Sequence, residues 1–519
     1  MKIRKSKANA CVIFKDIIKI IFKFRIFRIL IVPSFLIAII GSFLENFQAS
    51  CVKKLIDTLN QGEKFIINFQ IFFIVSMSNI LIGKLNTFIF AHPCQLIYKE
   101  CMIEGLEKYL KREWFAFYKN HSGKIHSVLE RRSDSTGAIV TAFFTKLISL
   151  PFSIFFNLYF LVFHYDKEIY LIISIHLFIY ITIALYLAER RKYFKILLNK
   201  KYNEAYDLQL ECFYNYEVIK AYNNEEYECR RYERYANNTM KPAGNIKGLF
   251  GLSDTCQNFI FFSLNSFVLY HIFRNIGNKY TVGYFAQFIA FSRILKVKLS
   301  ELFLYYGISL IDYANIYEYY KMEEENEEIF YEDQQRNEEF VFNNEIIFKN
   351  VCVEVKNFLI LTNINLKINK GEKIALIGIN GSGKTTFIRV LLGFYGYSGN
   401  IKIDGIELNE ISRFTLRSNI SFVPQESCLI NETIEENICY GGNFSQELIY
   451  DTSKKYSVND SLEKLKNSFP KKIGEKGKHL SGGEKQIVAF LRGTIRSKEI
   501  LILDEPTSAI DTFKEKIIF

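Results

Sequence analysis

KIALIGINGSGKTTFIRVLLGF, Lys373–Phe394, is the stretch from which the rest of the chain can be read. Its centre, Gly378–Thr386, fits G-x-x-x-x-G-K-[ST]. An apolar run, Lys373–Ile377, precedes it and reads as a buried strand. FIRVLLGF follows and reads as a helix. In that setting the residues Gly378, Ile379, Asn380, Gly381, Ser382, Gly383, Lys384, Thr385 and Thr386 form a loop whose backbone N–H groups close around phosphates. The start of the following helix adds its positive dipole end. Lys384 is placed to reach the β- and γ-phosphates, and the Thr385 hydroxyl to ligate Mg²⁺.

Downstream, ILILDEP (Ile500–Pro506) is an apolar strand ending in two acids. Carboxylates at the end of a buried strand are costly without a cation. Asp504 is therefore expected to hold Mg²⁺ and Glu505 to polarise an attacking water. Between the two motifs lies LSGGE: Leu480, Ser481, Gly482, Gly483 and Glu484. A serine and two glycines opening a helix make a second phosphate-facing nest.

The 519 residues leave room for more than one domain, and apolar and charged residues are segregated along them. A bilayer core about 30 Å thick needs about 20 apolar residues in helix. Six spans are expected: 29–47, 65–90, 142–163, 169–188, 259–273 with an approach from Leu249, and 282–308. Arg293, Lys296, Lys298 and Glu301 interrupt the last. The long connections between spans two and three and between four and five carry most of the Lys and Arg, which places them and both termini on the cytoplasmic or matrix side. The basic stretch Met1–Arg28 reads either as a degenerate organelle-targeting segment or as the lead-in to the first span. Lys321–Glu339 is acidic and reads as a solvated linker. The expected domains are a membrane domain over 1–318, a linker over 319–343 and an α/β phosphate-loop ATPase domain over 344–519.

The net charge of +11 is explained by basic membrane loops, and no nucleic-acid motif accompanies it, so a nucleic-acid partner is not expected. The 10 cysteines are scattered without metal-ligand pairing, which points to reduced thiols. Charges inside spans are functional candidates, since each costs about 2.5 kcal/mol or more at mid-bilayer. Lys146, Asp254, Arg293, Lys296 and Lys298 are such residues. Arg293 and Lys296 share a helix face and could line a cavity for an anion, or lie in water where the sixth helix leaves the membrane.

The order of the lysine loop, Gln425 in FVPQES, LSGGE, LDE and SAID (Ser508–Asp511) resembles the nucleotide-binding domain of ABC transporters. Phe117–Ile139 has the pattern of the first cytoplasmic loop of their six-helix type I exporters. More narrowly, NYEVIKAYNNEEYE (Asn215–Glu228), CQNFIF (Cys256–Phe261) and VPQESCLINETIEENICYG (Val423–Gly441) resemble the mitochondrial iron–sulfur-precursor, or heavy-metal-tolerance, half-exporters of subfamily B. The resemblance implies a homodimer sandwiching two ATP molecules, each between the lysine loop of one copy and the signature serine of the other. It also implies that Gln425 joins Thr385 and Asp504 as a Mg²⁺ ligand. It further implies export of a glutathione-linked or sulfur-containing compound across an organelle's inner membrane, with Gln257 and Asn258, and by position Asp254, at the substrate. Rival readings are a lipid, peptide or drug exporter of the same fold, and an ATP-binding relic that does not transport.

Several positions depart from the family pattern. Val355 stands where an adenine-stacking aromatic is expected, leaving Phe358 as the nearby substitute. Ile487 replaces an arginine after the signature. Asp254 stands where the family often has Asn. No histidine follows Glu505, whereas the family places one that touches the γ-phosphate further along. The expectation is an ATPase domain truncated at its C-terminal end and a slow turnover by residues 1–519.

Overall fold

A computed structural model describes residues 10–112, 114, 122–325, 341–355, 358–468 and 472–506. It divides into two compact units. One comprises 1–112 and 116–327, the other 113–115 and 328–519.

The first unit is helical. A short helix α1 (Ala10–Lys23) leads through the extended residue Phe24 into α2 (Arg25–Asp57). Then come α3 (Glu63–Gly83), α4 (Leu85–Leu110), α5 (Ser122–Ala142), one π-helical turn (Phe143–Leu147), α6 (Leu150–His164), α7 (Lys167–Tyr214), α8 (Tyr216–Ala221), α9 (Glu225–Arg274) and α10 (Val282–Glu325). The six expected spans all fall on these long helices. Four stretches are long and apolar enough to cross a membrane by composition: Arg25–Asp57, Glu63–Leu110, Ile125–His164 and Lys167–Tyr214. The fifth and sixth expected spans, on α9 and α10, do not reach that hydropathy. Their polar residues bond to neighbouring helices instead: Ser292 Oγ with Asn265, Ser300 Oγ with Gln257 at 3.0 Å, and His176 of α7 with Ser263 at 3.1 Å. Polar side chains satisfied between helices are compatible with a membrane interior, because the backbone is already bonded within each helix. Phe288, Phe291, Leu295 and Ile173 are among the buried residues of the core beside them.

The linker begins later than expected. Helix α10 runs through Glu325, and Tyr319, Tyr320 and Met322 are buried against Ile13, Tyr109 and Val128. An aromatic stripe hidden in a charged tract keeps these residues in the helix. Most of the acidic tract lies outside the described residues.

The second unit carries a four-stranded antiparallel sheet in the order β2-β1-β3-β4: β1 (Glu345–Val355), β2 (Phe358–Asn369), β3 (Ser398–Ile403) and β4 (Ile406–Glu407). Alternation along β1 buries Ile346 and Phe348, and after a bulge Val351 and Val353. A separate parallel pair joins β5 (Ile420–Val423) to β6 (Ile500–Leu503). The helix after the lysine loop, α11 (Lys384–Leu391), packs with β1, β3 and Leu416 in one core. A second core gathers α13 (Ile434–Cys439), α14 (Gln446–Lys455), α15 (Asn459–Ser468) and α16 (Gly482–Thr494). Helix α12 (Arg413–Ser418) lies between them in sequence. At Trp114 the indole stacks on Phe394 at 5.7 Å and meets Tyr395 edge-on at 5.4 Å.

One expected strand is absent from this arrangement. Lys373–Ile377 has no strand partner among the described residues, and Ile377 and Ile379 are 94% and 83% exposed. A strand exists only by pairing, so the apolar pattern alone does not make one.

Candidate nucleotide site and polar membrane cluster

The parallel pairing of β5 and β6 brings the candidate nucleotide-site residues together. Val423 pairs with Leu503, so both strands leave the sheet at the same edge. Ligands of α/β proteins bind at this carboxyl edge. Two residues beyond Val423 comes Gln425, and two beyond Leu503 comes Glu505. The Gln425 Nε2 donates to Glu505 Oε2 at 2.7 Å. Asp504 is anchored by its own N–H, which donates to the Val423 carbonyl at 3.0 Å. Its carboxylate is buried and lies close enough to Thr385 for the hydroxyl to stabilise its charge. Burial raises the Asp504 pKa, the Thr385 hydroxyl opposes this, and the Glu505 charge adds to the rise. Arg389 and Lys384 pull it down. Glu505 is exposed and holds φ +49°, a left-handed conformation uncommon outside glycine.

The loop itself turns at Gly381 (φ +81°) and Gly383 (φ +92°). A Cβ on Gly383 would come within 2.6 Å of Leu361 Cδ2, so a side chain there would have to displace Leu361 as well as adopt a left-handed backbone. The Lys384 ammonium donates to the carbonyls of Gly378 at 2.8 Å and Ile379 at 3.3 Å. The loop is thus closed around its own lysine.

The signature residues lie on the other core. Ser481 caps α16, with Glu484 N–H on its hydroxyl and the Glu484 carboxylate on its backbone N–H at 2.7 Å. Leu480 and Ile487 are buried there beside Val488 and Leu491. The aliphatic Ile487 therefore fills a core position. Among the described residues no hydrogen bond joins 480–484 to the lysine loop. Ser508–Asp511 lie outside the described residues. Val355 and Phe358 face each other at the tip of the β1–β2 hairpin, and Phe358 is 75% exposed.

In the membrane unit, Asn258 sits between opposite charges: Lys296 Nζ donates to its Oδ1 at 2.5 Å, and its Nδ2 donates to Asp254 at 3.3 Å. Gln257 accepts from Ser300 and donates to Ser253 at 3.3 Å. Arg293 is exposed, and no described contact ties it to this group. Sequence reasoning missed two features. Glu45 of α2 pairs with Lys298 at 3.0 Å and accepts from Ser153 Oγ at 3.0 Å, joining three helices. Arg191 is 3% exposed, its Nε has no hydrogen-bond partner among the described residues, and its guanidinium lies 4.3 Å from the Phe250 ring and against Gly307. The run ERRKYF after the fourth span was the available signal, but only the fold shows which arginine turns inward.

An ABC transporter family model matches residues 361–508, and the model of the ABC transporter transmembrane region matches 30–298. The chain belongs to the ABC transporter family. This ABC chain is 30% identical over 400 residues to the Arabidopsis thaliana ABC transporter B family member 24, mitochondrial, covering 76% of the chain and 59% of that relative. It is 28% identical to the Debaryomyces hansenii iron-sulfur clusters transporter ATM1, mitochondrial, covering 84% and 64%. Against the Caenorhabditis elegans heavy metal tolerance factor 1 it is 28% identical, covering 76% and 50%. The chain thus spans only part of the length of these relatives. The fold is that of a bacterial Atm1-family ABC exporter solved with ATP bound: TM-score 0.85 at 23% identity, covering 95% of this chain and 88% of that one. The half-transporter architecture and the mitochondrial B-family likeness expected from the motifs are both found.

Proposed function

We propose that two copies of this chain form an ATP-driven exporter of a small anionic compound, glutathione-linked or otherwise sulfur-containing, in the inner membrane of a mitochondrion or a related organelle. The observation that carries the ATPase reading is the meeting of Thr385, Asp504, Gln425 and Glu505 at one sheet edge. Hydroxyl, carboxylate and amide oxygens are the hard donors that Mg²⁺ takes. Thr385, Asp504 and the Gln425 carbonyl oxygen would hold it, and bound Mg²⁺ supplies charge neutralisation for the phosphates. The Lys384 ammonium exchanges its loop carbonyls for phosphate oxygens. Glu505, oriented by Gln425, accepts the proton of the attacking water. Ser481, seated on the helical core, serves the nucleotide of the second copy.

For the substrate, the buried Arg191 is the main support. A buried cation with no acidic partner among the described residues is costly, and an anion that binds beside it removes the cost. Lys296 and Asn258 form a separate polar group further along α10 and α9. The relatives named for iron–sulfur clusters and heavy-metal tolerance favour a thiol compound over a lipid. The test is ATPase activity of the full chain in nanodiscs. Stimulation by glutathione or its disulfide, weakened by Arg191→Met and Gln257→Ala, supports the assignment. Stimulation by lipid alone contradicts it. Gln257 already bonds to Ser300 and Ser253, so its change should also lower stability, and the two effects are read on one preparation.

A further inference from the structure

Helix α1 has three faces. At 3.6 residues per turn, Ile13, Ile17, Ile20 and Ile21 fall on one side and pack into the cores around Tyr319 and Phe27. Phe14, Ile18 and Phe22 form a second stripe, exposed to 65%, 37% and 49%. Lys15, Lys19 and Lys23 form a third, directly beside the second. The acid within the helix is already engaged, because Asp16 accepts the Tyr320 hydroxyl at 2.7 Å. Lys23 pairs with Glu100. Lys15 and Lys19 have no acidic partner among the described residues.

The helix that follows, long and apolar enough to cross a membrane, has an exposed apolar surface of its own. Beyond the extended residue Phe24, Ile29, Val32 and Leu36 of the first spanning helix are exposed to 58%, 64% and 55%. The bend at Phe24 turns α1 out of the axis of α2, and its packed face rests on the ends of the helices that carry Tyr109 and Tyr320. An apolar stripe flanked by lysines is what an interfacial helix presents to a bilayer. Two free ammonium groups at its edge select the sign of the headgroup.

We propose that α1 is a lipid-binding element that recognises phospholipids with anionic headgroups, with Phe14, Ile18 and Phe22 among the acyl chains and Lys15 and Lys19 on the headgroup. This rests on reading α2 as the first membrane span and is independent of the exported substrate.

The test places a photoreactive benzophenone side chain at Phe14 in the full chain, reconstituted in nanodiscs of equal parts anionic and zwitterionic phospholipid. Mass spectrometry of the illuminated protein is expected to show single-lipid adducts enriched in the anionic species. Lys15→Gln with Lys19→Gln should reduce that enrichment by about fivefold or more. The same photoreactive group at Ile20 should link within the chain, which shows that α1 is still packed in the variants. Lipid adducts without anionic preference, adducts only to a polypeptide, or no adduct at Phe14 while Ile20 still crosslinks would each overturn the proposal.

Discussion

Glu505 combines a left-handed backbone, a solvent-facing carboxylate and a 2.7 Å hydrogen bond from Gln425. Replacing it by Gln keeps the shape and removes the proton acceptor. Glu505→Gln should leave ATP affinity within about twofold and lower turnover by about 10²–10⁴, read by nucleotide binding and phosphate release on the same protein. Asp504 behaves differently because it is buried. Its pKa is raised in the fold, so its stability contribution is complete below the unfolded value and is lost as pH rises through the folded one. Asp504→Asn should therefore raise the Tm of the nucleotide-free chain at neutral pH, while abolishing Mg²⁺-dependent nucleotide binding. An unchanged or lower Tm would show that its carboxylate is already compensated. Arg191→Met should likewise raise Tm, through removal of a buried charge that has no acidic partner among the described residues, yet reduce stimulation by glutathione. The opposite signs separate a binding residue from a packing one.

At the scale of elements, two helices begin with the same device. Thr433 with Glu436 and Ser481 with Glu484 both form capping boxes. Loss of either hydroxyl should cost about 1 kcal/mol of stability. Only Ser481→Ala should also reduce ATP turnover, because the proposed function assigns Ser481, and not Thr433, to the nucleotide of a facing copy. Equal turnover losses from Thr433→Ala and Ser481→Ala, measured beside their melting curves, would remove the special role of Ser481. The lysine loop, the signature at a helix start and the acidic end of β6 were legible in the sequence, because each is written in adjacent residues; the capping boxes came only with the fold. The strand expected at Lys373–Ile377 was not, because a strand needs a neighbour that local pattern cannot supply. Nor was the continuation of α10 through Glu325, since Tyr319 and Tyr320 owe their burial to Ile13 and Val128 in distant segments. The Glu45–Lys298 pair and the inward turn of Arg191 were hidden for the same reason: each needs the packing of helices far apart in the chain.

For the whole molecule, one chain carries a lysine loop on one core and a signature serine on another, which fits two copies completing each other's nucleotide sites. On the proposed reading, Arg191 of α7 offers the membrane unit a place for an anion, with ATP closure as the driving event. The most direct measurement is accumulation of labelled glutathione or its disulfide in proteoliposomes with the ATPase domains facing outward. ATP-dependent uptake that disappears in Glu505→Gln is the result expected. No ATP-dependent uptake by protein that binds ATP, or uptake unchanged in Glu505→Gln, would contradict ATP-driven export of this class of compound.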